Sequence, residues 1–105
     1  MGEEGVPVTV EFGGGTELLL APPHAKVHTL TVRGDAGRAP DMRALVQHIR
    51  THLLHEREEL FVEHDAVRAG ILVLINDSDW ELEGEMDYVL QPKDHIVFIS
   101  TLHGG

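Results

Sequence analysis

Asp41-Met42-Arg43-Ala44-Leu45-Val46-Gln47-His48-Ile49-Arg50-Thr51-His52-Leu53 is the stretch that decides the fold. Its apolar residues Met42, Leu45, Val46, Ile49 and Leu53 fall at intervals of three, one, three and four, the spacing of one buried face of an α-helix. Asp41 stands where a side-chain oxygen can cap the first free N–H groups. The helix is expected to fray near Leu54 to Glu59, with Leu60 and Phe61 turning back into the core. Everything around this segment reads as strand and turn.

Toward the C-terminus, Val67-Arg68-Ala69-Gly70 is a turn before Ile71-Leu72-Val73-Leu74-Ile75. That run is apolar at every position and rich in β-branched residues, which predicts a central strand covered on both faces. Asn76 to Asp79 is a polar turn, Trp80 to Leu82 and Tyr88 to Leu90 are short irregular pieces around Gly84, and Pro92-Lys93-Asp94 turns into a last strand, Ile96 to Ser100. Toward the N-terminus, Val27 to Val32 alternates after the interruption Ala21-Pro22-Pro23-His24. Val6, Val8, Val10 and Phe12 form a first alternating strand; Gly13-Gly14-Gly15 supplies a tight turn, and Thr16 to Leu20 is expected to return as its hairpin partner. The order hairpin, helix, strand, short elements, last strand describes an α+β domain, a mixed sheet with one helix across one face. The β-grasp topology fits it, with the first and last strands adjacent and parallel in the middle of the sheet.

The chain has 105 residues, of which 42% are hydrophobic, enough for one core, so residues 1–105 are expected to form a single domain with a flexible tail, 101–105. Eight Lys and Arg against 18 Asp and Glu give 8 − 18 = −10 with histidine neutral. Direct nucleic-acid binding and anionic membrane surfaces are disfavoured, because both need cations against phosphates. Cysteine is absent, so disulfides, thiol nucleophiles and the common structural zinc sites are excluded. The acidic start Met1-Gly2-Glu3-Glu4-Gly5 has neither the positive nor the apolar region of a signal peptide, which predicts a cytoplasmic setting, with the nucleus open to it.

The segment Thr101-Leu102-His103-Gly104-Gly105 follows the last strand directly. Two glycines ending on a carboxylate can enter a narrow enzyme channel where any Cβ would clash. Leu72-Val73-Leu74-Ile75-Asn76-Asp77, Asp79-Trp80-Glu81-Leu82, Phe98 to Gly105, and Val10-Glu11-Phe12-Gly13-Gly14-Gly15 together resemble the eukaryotic ubiquitin-related modifiers that also serve as sulfur carriers. The resemblance spans nearly the whole chain, and Ser-Thr-Leu-His-Gly-Gly is far more specific than Gly-Gly alone. It implies a β-grasp fold and a carrier with no catalytic residues and no cofactor of its own. An E1-like activating enzyme with a rhodanese-type sulfur donor would adenylate Gly105 and convert it to a thiocarboxylate. That sulfur would pass to a tRNA thiouridylase complex for 2-thiolation of the wobble uridine of cytosolic tRNAs, and the activated end would also be joined to lysines of target proteins. Gly104, His103 and Leu102 would thread into the activating enzyme.

Other signals weigh less. His48, His52 and His55, spaced by four and three, would line one side of the helix and suggest a divalent metal, but they lie off the apolar stripe and a solvated face accounts for them; no metal site is expected. The alternating acids from Asp77 to Asp87 lack the glycine and final glutamate of a calcium loop. Gly13 to Gly15 lacks the Lys-Ser/Thr of a phosphate loop, and Trp80 reads as a packing residue. Two rivals to the carrier stand: a small acidic protein-binding module with an incidental Gly-Gly tail, and a histidine-based metalloenzyme.

Overall fold

The computed structural model describes residues 5–100. Strand β1 (Val6–Gly13) pairs antiparallel with β2 (Val27–Val32), from Val6 opposite Val32 to Glu11 opposite Val27. Helix α1 (Met42–His52) follows, then a two-stranded ribbon of β3 (Val62–Glu63) and β4 (Ala66–Val67), and then β5 (Ile71–Ile75), β6 (Ser78–Asp79) and β7 (Asp94–Ser100). The main sheet has the order β2-β1-β7-β5-β6. β1 and β7 run parallel in its middle, Val8 opposite Asp94 through Gly13 opposite Ile99. The α+β class and the β-grasp arrangement are both as the sequence pattern predicts.

Alternation explains the two layers. Val8, Val10 and Phe12 of β1, Ile96 and Phe98 of β7, and Val73 and Ile75 of β5 all point to one face. There they meet Met42, Leu45, Val46 and Ile49 of α1, the four buried residues of its stripe. Each side chain of this size contributes about 1.5–3 kcal/mol on burial. Phe98 packs at the centre, its ring 5.7 Å from Phe12 and 5.1 Å from Phe61. The Asp41 carboxylate accepts from the Ala44 N–H at 2.9 Å, the cap its position predicts.

Three expectations need correction. Thr16–Leu19 is a 3₁₀ turn and not a return strand; the hairpin partner of β1 is β2. Leu19 and Leu20 are both buried, which an alternating strand cannot do with neighbours, and Leu18 N–H bonds back to Gly15 at 3.1 Å. β5 is not central: the β1–β7 pair takes the middle, and β5 buries Val73 and Ile75 while Ile71, Leu72 and Leu74 are only half-buried. Val67, expected in a turn with Arg68 to Gly70, belongs instead to the β3–β4 ribbon, which pairs it with Val62 and turns through His64 and Asp65 at φ of +54° and +63°. Phe61, next to the ribbon, enters the core as the sequence predicts.

Candidate functional site

The residues on which the sequence reading places the chemistry, Leu102, His103, Gly104 and Gly105, lie outside the described residues. The structure describes the platform from which they depart. β7 has a sheet neighbour on both sides, β1 and β5, and its last residue, Ser100, stands opposite Ile71 of β5. The end of this strand is held from below by the turn after β1. Gly14, at φ +65°, lies so close that a Cβ there would stand 2.5 Å from the Ser100 carbonyl oxygen and 2.9 Å from Cγ2 of Ile99. Only glycine fits both the backbone angle and the space. Next to it Thr16, 2% exposed, shares its hydroxyl proton between the carbonyls of Gly13 at 2.9 Å and Phe98 at 3.1 Å. Sequence reasoning took Thr16 for a strand residue and missed this role; its only signal was a hydroxyl directly after three glycines.

The opposite end of β7 is anchored by a buried carboxylate. Asp94, 5% exposed, accepts from Asn76 Nδ2 at 2.8 Å, the Tyr88 hydroxyl at 2.7 Å and the Gln91 N–H at 2.8 Å. Burial, and then the hydrogen bond to Asp94, push the Tyr88 phenol up to about 12. The β5–β6 turn and the connection from β6 to β7 are thus both tied to the first residue of the strand that leads to the tail. Beside the exit of that strand lies a concave surface of about 320 Å³, with Leu18, Leu60, Ile71 and Ser100 on its walls and Arg68 among them. None of these wall residues stood out as a site in the sequence.

The histidines are only partly brought together. The rings of His48 and His52 stack, their centroids 4.5 Å apart at 28°, while His55 lies beyond the end of α1 with its N–H on the Leu19 carbonyl at 2.9 Å. Burial and the neighbouring His52 lower the pKa of His48 below the usual imidazole value. Among the described residues no group of three or more His, Cys, Asp or Glu is arranged to hold a metal ion. Most of the acidic side chains between Asp77 and Asp87 are exposed, and Trp80 packs half-buried against the core. Among the described residues no helix is long and apolar enough to cross a membrane.

The fold and the departing strand have close counterparts. The solution structure of Urm1 from Trypanosoma brucei superposes with a TM-score of 0.76 at 42% identity, covering 96% of this chain and 97% of that one. Ubiquitin-related modifier 1 of Mycosarcoma maydis is 65% identical over 107 residues, spanning the whole of both chains. The human ubiquitin-related modifier 1 is 56% identical over 98 residues, covering 93% of this chain and 94% of that one. The model of one family, Urm1 (Ubiquitin related modifier), matches residues 7–105, and with a β-grasp sheet that runs β7 to the root of a Gly-Gly tail, this chain belongs to that family.

Proposed function

We propose that the chain is a sulfur carrier and protein modifier whose reacting group is the carboxylate of Gly105. An E1-like activating enzyme adenylates that carboxylate with ATP and releases pyrophosphate. The terminal sulfur of a persulfide on a rhodanese-type donor attacks the acyl adenylate and AMP departs; a second thiol of the partner then cleaves the acyl disulfide, leaving Gly105 as a thiocarboxylate and the partner's two sulfurs as a disulfide. The thiocarboxylate hands its sulfur to a tRNA thiouridylase complex for the wobble uridine of cytosolic tRNAs, and the activated end is alternatively joined to lysines of target proteins. The setting for this work is cytoplasmic. Membership of the modifier family supports the reading, and one structural observation carries it: β7 runs through the middle of the sheet and ends at Ser100, five residues before Gly105.

The division of labour is chemical. A carboxylate resists nucleophiles until one oxygen becomes part of a good leaving group, and the sequence carries no phosphate loop with which to activate itself. The chain therefore supplies a positioned substrate, and catalysis belongs to the partner. Leu102, His103 and Gly104 are the residues that thread into that partner.

Mass spectrometry after incubation with the activating enzyme, ATP and a sulfur source tests the reading. The expected gain is the mass difference between one sulfur and one oxygen. An unchanged mass while the enzyme turns over would refute it. Deleting Gly104 and Gly105 separates the carrier from the acidic binding module, since partner binding and cellular phenotype would survive the deletion only for the module.

A further inference from the structure

At the end of the sheet where β7 stops lies an apolar groove that the proposed chemistry at Gly105 does not use. It sits between the 3₁₀ turn Thr16–Leu19 and the start of β5, with a volume of about 320 Å³. Leu18 stands on its rim with 57% of its surface exposed. Among the described residues no carboxylate lines it, in a chain whose formal charge is −10. Its one cation is Arg68, whose side chain, among the described residues, donates to the Glu59 carbonyl at 3.3 Å and has no carboxylate within ion-pairing distance. An apolar hollow with a guanidinium that no acid among the described residues matches is the opposite of the surface around it.

We propose that this groove receives a surface loop of the activating enzyme, carrying an aliphatic or aromatic side chain next to a carboxylate that pairs with Arg68. The inference rests on the reading that an enzyme takes Gly105. Gly105 is five positions beyond Ser100, a stretch that fully extended spans at most about 17 Å. An enzyme holding the Gly105 carboxylate in its catalytic centre therefore lies against the surface around Ser100, and Ser100 is itself a wall of the groove. The hollow is of the size that takes a bulky anchor, and anchors that fill a desolvated pocket dominate interface energies. The guanidinium selects the partner, because a carboxylate meets it with two parallel hydrogen bonds. Contact here is made before any chemistry, so it acts on binding and not on turnover.

Pyrophosphate exchange by the activating enzyme, with the full chain as the varied substrate, tests the proposal. The variants are Leu18→Gln, Arg68→Glu and, as a control outside the groove, Leu82→Gln at a side chain 80% exposed. The two groove variants are expected to raise KM about tenfold with kcat within about twofold of wild type, the size of losing one buried apolar anchor or its charge partner. Leu82→Gln is expected to leave both unchanged. Wild-type KM in both groove variants, or an equal rise in Leu82→Gln, would overturn the groove. Should Arg68→Glu lower the melting temperature, the exposed Leu18→Gln carries the test alone. Absence of exchange by the wild-type chain is a different failure: it removes the reading of Gly105 and the enzyme as occupant with it.

Discussion

At the scale of single residues, the reacting end is governed by sterics. Gly105→Ala puts a Cβ beside the carbon to be adenylated, and Gly104→Ala puts one where the chain threads the enzyme. Both should cut pyrophosphate exchange sharply while leaving the melting temperature at the wild-type value, because the described core closes by Ser100. His103→Ala should cost much less, and a loss as deep as that of a chain lacking Gly105 would give this histidine an essential part. The buried Asp94 behaves in the opposite way, affecting the fold and not the chemistry directly. Asp94→Ala strips a shared acceptor from Asn76, Tyr88 and Gln91, a loss of about 3 kcal/mol in a denaturant titration for a charged, buried hydrogen-bonding group. Tyr88 gives this network a pH signature. Its phenol is neutral in the fold up to about 12, against 10.0 when unperturbed. Its stabilising contribution is therefore complete below pH 10 and lost between 10 and 12, as the unfolded chain gives up its proton first. Melting curves should fall over that window more steeply for wild type than for Tyr88→Phe, and parallel curves would remove Tyr88 as the cause.

At the scale of elements, α1 and β1 were legible because their signals are local. A stripe at helical spacing and a capping aspartate say the same thing about residues 42 to 52, and Asp41→Ala should accordingly cost about 1 kcal/mol in the same titration. The alternation of Val6 to Phe12 was read correctly, but its partner was not. Gly15 N–H bonds the Glu17 carboxylate at 3.0 Å, and Thr16 reaches the Phe98 carbonyl across 82 positions of sequence. The second of those bonds exists only once β7 is in place, so the strand propensity of Thr16 to Leu20 was overridden by a contact that no local pattern encodes. The unbroken apolar run of β5 misled in the same manner: it signals burial without saying in which position of the sheet. The site itself divides likewise. Its reacting glycines were read from a motif, whereas Gly14, Thr16 and Arg68 were recognised only from their neighbours.

At the scale of the whole molecule, charge sets how partners approach. Protonating all eight histidines would move the formal charge from −10 to −10 + 8 = −2. Affinity for a basic partner should weaken between roughly pH 7 and pH 5.5, and burial and His52 hold the His48 imidazole below its usual value, so its share of that change comes at lower pH. Affinity for the activating enzyme that is flat across this range and insensitive to salt would exclude electrostatic docking. The parallel pairing of the first and last strands came with the β-grasp topology that the element order fits; residue order and periodicity by themselves determined the α+β class and the helix with its cap. Each of these depends on spacing along the chain, which the pleat and the helical turn convert directly into a buried face. Only the tertiary structure decided that β5 lies beside the centre of the sheet and not at it, that Asp94 gathers two loops, and that Leu18, Arg68 and Ile71 meet beside Ser100. Those facts arise where segments distant in sequence are brought within a few ångströms, and close packing, unlike periodicity, leaves no mark on the order of residues.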